Sequence, residues 1–296
     1  MNKYLSKKSI VSVFLLPSLL IYICTVLIPL LWSLGYGFFS WTGISPMEFN
    51  GIENYTKLFF KDEVFWKTVW NTGKFTVLNV VIQVTFGLFT AILLTKITRG
   101  RGLFQTLYFT PVILSTVALA QIFTHIYSVS PVGLANSLLG IINDDFRNLE
   151  WLSNPNLSLL SVTVAEGFKN AGVYMIIFYA ALIAIPEEII EAAKIDGASG
   201  WQLFRYIKLP LIRDVMITCM VLVLNGSLKA FDIPYLLTQG GPGTSSELTI
   251  TYMYKAAFSD LSYGYGSAIA VFVAIESILF IVLFNKLTKL KKSGVN

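Results

Sequence analysis

Glu191-Ala192-Ala193-Lys194-Ile195-Asp196-Gly197-Ala198 is a polar stretch set between two long apolar runs, and it continues through Trp201, Phe204 and Ile207 to Leu209-Pro210. The preceding Ile185-Pro186-Glu187-Glu188 reads as a helix start. Proline near the first position supplies a preset backbone angle, and two acids in the first turn complement the positive end of the helix dipole. The helix runs through Glu191, Ala192, Ala193 and Ile195 and stops at Asp196-Gly197, where glycine accepts the left-handed conformation that ends many helices. Asp196 or Ser199 is suited to cap a second short helix. In that helix Trp201, Phe204 and Ile207 recur every three residues and share a face. Leu209-Pro210 stops it. Two readings fit this periodicity: a bent apolar ridge that docks into a partner's groove, or an amphipathic connection lying on a membrane surface.

The flanking runs decide the class. The chain has 296 residues, of which 55% are hydrophobic and only 13% charged, and its mean hydropathy is +0.67. That composition excludes an ordinary soluble domain. Runs long enough to cross about 30 Å of hydrocarbon occur near 10–39, 69–94, 103–127, 158–184, 213–238 and 264–285. The expected fold is therefore all-α, a polytopic membrane protein of six spans forming one domain over 1–296. The first run follows Lys3, Lys7 and Lys8 but is longer than a secretory signal and lacks a small-residue cleavage site, so it reads as a retained helix.

Orientation follows from the basic residues, which are held on the cytoplasmic side. With both termini inside, the inner segments hold Lys3, Lys7, Lys8, Lys96, Arg99, Arg101, Lys194, Arg205, Lys208, Arg213, Lys286, Lys289, Lys291 and Lys292, fourteen of the 22 Lys and Arg. The stretch 186–212 then faces the cytoplasm. The net charge of +5 is accounted for by topology, because the cations sit at span ends and not on one soluble face; nucleic acid is not an expected partner. Cys24 and Cys219 both lie in apolar runs and read as packing residues, and no Cys/His cluster suggests a metal site. Trp32, Trp41, Trp66, Trp70 and Trp151 near span ends fit an interfacial belt. Outer loops are expected at 40–68, with a short helix near its end, at 128–157, with a short helix around Leu134 to Ile142, and at Thr238-Gln239-Gly240-Gly241-Pro242-Gly243.

The pattern Glu-Ala-Ala-x-x-Asp-Gly-Ala at 191–198, followed by Phe204-x-x-Ile207-x-Leu209-Pro210, resembles the signature loop of permease subunits in binding-protein-dependent ABC importers. Leu107-Tyr108-Phe109-Thr110-Pro111, Trp151-Leu152-x-x-Pro155, Phe231-Asp232 with Thr238-x-Gly240-Gly241-Pro242, and Gly264-Tyr265-Gly266-Ser267-Ala268 are similar to the carbohydrate branch typified by maltose and glycerol-phosphate permeases. The resemblance implies a type I importer permease whose loop is a coupling helix. Glu191, Ala192, Ala193, Asp196, Gly197 and Ala198 would form its turn, Trp201, Phe204 and Ile207 its docking ridge, and Leu209-Pro210 its end. It also implies a second, homologous permease, two cytoplasmic ATPase subunits carrying ATP and Mg, an extracytoplasmic solute-binding protein, and a carbohydrate substrate.

The residues themselves agree that the chain is not the motor. No Gly-x-x-x-x-Gly-Lys-[Ser/Thr] loop occurs, so no phosphate cradle is present in the sequence, and no catalytic constellation suggests a membrane enzyme. Polar residues inside spans are expensive and mark function or pairing. Glu166 with Lys169, and Lys229 with Asp232, are spaced to neutralise one another on a helix face. A sugar path needs hydrogen-bonding groups and an aromatic face without a dominant charge. Asn170 and Tyr174 on the fourth span and Asn225 and Ser227 on the fifth offer that chemistry, with Lys229 and Asp232 continuing the polar path. The competing reading is an ion-coupled carrier using Asp232, Glu276 and Glu166 as cation sites.

Overall fold

The computed structural model describes residues 8–293, and the side chains of 12–284 and of Lys286. Lys3 and Lys7 lie outside the described residues, as do the side chains of Lys289, Lys291 and Lys292. Three helices are long and apolar enough to cross a membrane alone: Ser12–Tyr36, Glu63–Lys96 and Tyr263–Phe284. Three more apolar stretches are helix pairs bent at a short break: Arg101–Ile113 with Thr116–Ile126 at 100°, Ser158–Ile183 with Glu187–Ile195 at 69°, and Arg213–Leu228 with Asp232–Thr238 at 46°; in the second pair Ser158–Ile183 is the crossing and Glu187–Ile195 lies beyond it. Counting each pair as one span gives the expected six.

The third and fifth spans are therefore not the continuous helices that their apolar runs suggest. In the third, Pro111 removes a donor from the last turn, Leu114 turns extended (φ −63°, ψ 147°), and Ser115 stands at the N-cap of a new helix. In the fifth, Pro234 has no N–H to offer the carbonyl of Ala230 and its ring crowds that carbonyl, so the chain leaves the helix over Lys229–Phe231. Proline also explains two wide turns. The π-helical segments Ile23–Leu27 and Leu203–Lys208 each end two residues before a proline, Pro29 and Pro210, and the shifted register relieves the clash behind the ring.

The described residues cluster in two compact units. One combines the described part of Met1–Glu63 with Met253–Ala274. In it, Phe39–Ser40 pairs antiparallel with Glu48–Phe49, and the expected short helix follows at Glu53–Phe60. Asn54 Nδ2 donates to the carbonyls of Gly37 and Phe39, both at 3.0 Å. Tyr263 N–H donates to Trp41 O at 2.9 Å, and a Cβ at Gly264 would fall 1.9 Å from Phe39 O. The side chain of Tyr265 hydrogen-bonds Asp62. The first span contributes no buried residue within its apolar window, and Cys24 is exposed on it, contrary to the expected packing role.

The other unit, Val64–Tyr252 with the described residues from Ile275 onward, is organised around the helix Ser158–Ile183. It runs parallel to Glu63–Lys96, and glycines let the pair close: Gly167 meets Ile82 and Asn79, and Gly87 meets the backbone of Tyr174 and Met175. On its other side a Cβ at Gly172 would sit 2.2 Å from Tyr108 O. Small residues at such crossings replace the hydrophobic drive that lipid does not supply. One core cluster holds Tyr174, Met175, Phe178, Cys219 and Val223; a second holds Phe75, Phe123, Tyr127, Val162, Ile233 and Leu248. Trp151 is part of this packing, stacked on Tyr127 at 5.5 Å and donating to Asn136 Oδ1 at 2.6 Å. It is not the belt residue expected, whereas Trp32, Trp66 and Trp70 are exposed.

The glycine-rich loop at 238–243 is pinned, not loose. Asn71 Nδ2 donates to the carbonyls of Thr244 and Glu247 at 3.0 and 3.1 Å, Ser158 and Ser245 share a 2.9 Å bond, and Gly240 at φ +81° packs against the Glu247 carboxylate. The central crossing is the most sensitive point of this unit. Gly172→Ala should cost about 1–3 kcal/mol, since backbone cannot yield as a side chain does, while Gly73→Ala, with nothing within 4 Å, should be neutral or slightly stabilising. Thermal midpoints of the two purified variants check this, and equal midpoints would contradict it.

Candidate functional site

The quoted stretch forms one helix, Glu187–Ile195, with Pro186 at its N-cap, one position before the expected place. Its end is a complete Schellman closure. Ala198 N–H donates to Ala193 O at 2.9 Å and Gly197 N–H to Lys194 O at 3.0 Å, with Gly197 at φ +88°. This geometry explains the residue types. The residue at the turn must tolerate the left-handed region, and small residues at 193 and 198 let the chain fold back closely. Ala193 is buried and Ala198 half-buried, while Glu191, Ala192, Asp196 and Gly197 are exposed.

Beyond the turn, Ser199 holds the N-cap position of Gly200–Gln202 through its backbone, without a side-chain cap bond. The π-helical turn that follows breaks the three-residue face. Trp201 is 70% exposed and Ile195 86%, Phe204 leans on Trp201 with ring centroids 5.4 Å apart, and Phe204, Ile207 and Leu209 are half-buried while Pro210 is exposed. Tyr206, not singled out from the sequence, is instead 70% exposed. The apolar surface offered is Ile195, Trp201 and Tyr206, because wider helical turns rotate 206 outward and 207 inward.

The second candidate site lies where both broken spans bend. Ser115, Thr116 and Val117 from one break, with Phe231, Asp232, Tyr235 and Leu236 from the other, line a cavity of about 380 Å³. Phe231 and Tyr235 stack at 5.0 Å with 17° between planes. Lys169 Nζ donates to Thr116 Oγ1 at 2.9 Å. Glu166 accepts from Asn170 Nδ2 at 2.8 Å. Glu166 and Lys169 stay within electrostatic reach of one another, as their spacing suggests, but their hydrogen bonds go to the amide one turn on and to the hydroxyl across the gap. Arg147 forms an ion pair with Asp144 at 3.1 Å, and among the described residues no cluster of His, Cys, Asp or Glu could hold a metal.

Of the path residues expected from sequence, Asp232 lines this cavity and Asn170 is tied to it through the Glu166–Lys169 turn. Tyr174 packs in the core beside Cys219 and Val223. Ser227 is buried and Lys229 exposed. The Oδ1 of Asn225 is buried and accepts no hydrogen bond. Ser115, Thr116, Phe231 and Tyr235 were not anticipated as a group. The signals were present in Pro111 followed by Ser115-Thr116, and in two aromatics four residues apart beside Pro234.

A protein-family model described as the inner membrane component of binding-protein-dependent transport systems matches residues 83–292. The chain belongs to this family. A probable ABC transporter permease protein of Bacillus subtilis (strain 168) is 34% identical over 288 residues, 96% of this chain and 98% of that protein. A probable starch degradation products transport system permease protein of Thermoanaerobacterium thermosulfurigenes is 31% identical over 277 residues, covering 92% and 93%. The fold is similar to a chain in the crystal structure of a bacterial ABC transporter involved in the import of the acidic polysaccharide alginate, with a TM-score of 0.82 at 22% identity over 97% of each chain. The chain is thus a permease component of the membrane and not itself an enzyme, and nothing favours the ion-coupled carrier.

A cavity at two span breaks should hold water. In a Cys24→Ser background, Thr116→Cys and Asp232→Cys should react with a membrane-impermeant thiol reagent in opened vesicles at least tenfold faster than the buried Cys219. Equal, slow reaction at all three positions would show the cavity to be dry.

Proposed function

We propose that this permease forms half of the alternating-access path of an ATP-driven carbohydrate importer. It pairs with a second, homologous permease, receives its sugar from an extracytoplasmic binding protein, and rests on two cytoplasmic ATPase subunits that bind ATP and Mg. Both termini and the segment 186–212 face the cytoplasm in this reading, in keeping with the basic residues at the inner span ends. Relatives named for starch degradation products support the substrate class, and so does the chemistry of the cavity. Two aromatic rings beside a carboxylate and two hydroxyl residues suit a sugar, whose C–H face packs on rings while its hydroxyls donate to oxygen.

The observation that carries the proposal is the closed turn at Gly197, which lifts Ile195, Trp201 and Tyr206 into solvent. An apolar patch of that kind marks a protein or membrane contact, and membership of the importer family favours a protein partner. Its helix is bent 69° from Ser158–Ile183, the same helix that carries Lys169 and Asn170. Displacement of the turn by an ATPase would therefore be felt at the cavity through the Lys169–Thr116 bond.

Gly197→Val forces a branched side chain into the left-handed region at a cost of about 1–3 kcal/mol. In the assembled importer it should lower sugar uptake at least tenfold while leaving ATP hydrolysis measurable. Uptake unchanged in this variant would reject the coupling role. Asp232→Asn together with Phe231→Ala should raise the sugar concentration needed for half-maximal uptake about tenfold, as expected for loss of a charge-assisted hydrogen bond and a stacking face; an unchanged value would remove the cavity from the path.

A further inference from the structure

A second cavity, apolar and sharing no lining residue with the first, opens between three spans. It measures about 300 Å³ and is lined by Phe86 and Thr90, by Phe104, Leu107 and Tyr108, and by Phe168 with the neighbouring Gly172. Its walls face outward: Phe86, Phe104, Leu107, Tyr108 and Phe168 are each 40–58% exposed. Thr90 and Phe86 lie six and ten residues before the end of their helix at Lys96, or about 9 and 15 Å at the helical rise. Phe104 is one turn past the start of the next helix at Arg101. The groove thus runs from within one turn of Arg101 toward the middle of Ser158–Ile183, where Phe168 and Gly172 lie.

That turn carries Lys96, Arg99 and Arg101, and the sequence contains no acidic residue between Glu63 and Asp144. Lys96 and Arg99 are exposed. Arg101 lies three residues before Phe104 of the groove's lining, its Nε donating to Ile97 O at 3.0 Å and its guanidinium lying 5.6 Å from the ring of Tyr179 on the fourth span. Basic residues at a span end alone serve topology. Three of them without an acidic neighbour in sequence, on the turn joining the two helices that carry Thr90 and Phe104 of an apolar, outward-facing groove, match an amphiphile with an anionic head and a hydrocarbon tail.

We propose that this groove is a binding site for an anionic glycerophospholipid, with an acyl chain between Phe86, Leu107 and Phe168 and its phosphate on Arg99 and Lys96. The inner-leaflet position rests on the orientation proposed above; the fit of chain and head does not. Because the site adjoins the crossing at Gly172, an occupied groove would brace the fourth span against the two helices before it.

The test uses the full chain in native membranes with phosphatidylglycerol or phosphatidylcholine bearing a photoreactive acyl chain, and mass spectrometry of the labelled peptides. Phosphatidylglycerol should label the peptides carrying Phe104 to Tyr108 and Phe168 at least fivefold more than phosphatidylcholine. Leu107→Trp, or Thr90→Phe should the first variant fold poorly, should reduce that labelling at least fivefold. Arg99→Gln with Lys96→Gln should abolish the preference while retaining the label. Equal labelling by the two lipids in the unaltered chain, absence of label in the groove, labelling untouched by either filling variant, or a protein covering these residues would overturn the proposal. None of these outcomes requires transport, so the importer reading stands or falls separately.

Discussion

Two backbone hydrogen bonds, from Gly197 and Ala198 back to Lys194 and Ala193, set the geometry on which the functional account depends. They form because one residue is free to adopt φ +88° and because its neighbours are small. The consequence is a helix that ends abruptly outside the apolar runs and turns its largest side chains toward solvent. A longer helix would have carried Ile195 and Trp201 on different faces; the closure brings both to a short, bent surface. A surface of this kind is unfavourable in water unless something covers it.

Behind that turn stands one long helix. Ser158–Ile183 packs against its neighbours through Gly167, which meets the side chains of Ile82 and Asn79, through Gly172, and by receiving Gly87 from the second span, so backbone meets backbone at the last two of these crossings. Contacts of this kind are stiff, because no rotamer change can absorb a displacement. The same helix presents Lys169 and Asn170 to the bend region, where Thr116 and Asp232 begin new helices. A rigid element thus joins the exposed turn to a polar cavity, and the breaks in the third and fifth spans supply irregular backbone where a cavity lets it be satisfied.

Much of this was legible beforehand. The six apolar runs, the helix stop at Gly197, and the short helices at Glu53–Phe60 and Leu134–Leu139 follow from local chemistry: hydropathy, a left-handed glycine and turn residues. What escaped is what prolines do within apolar runs. A window of hydropathy averages over a break, so the 100° bend after Pro111 and the 46° bend before Pro234 read as continuous spans. The same effect moved Tyr206 outward and Ile207 inward, because a π-helical turn before Pro210 alters the three-residue period. Pairings across helices, such as Lys169 with Thr116 and Trp151 with Asn136, lie 53 and 15 residues apart and have no local signature. Spacing within one helix suggested Glu166 with Lys169; Glu166 hydrogen-bonds Asn170 one turn on in the same helix, and Lys169 reaches across to Thr116.

The central claim is that the bent surface around Gly197 grips a nucleotide-hydrolysing subunit on the cytoplasmic side. A photoreactive amino acid placed at Trp201, activated in intact cells, measures this directly. The account predicts one dominant crosslinked protein, an ATPase lost from the complex when Ala198→Leu disturbs the closure. Crosslinks confined to lipid, to this chain, or to an extracytoplasmic protein would contradict it.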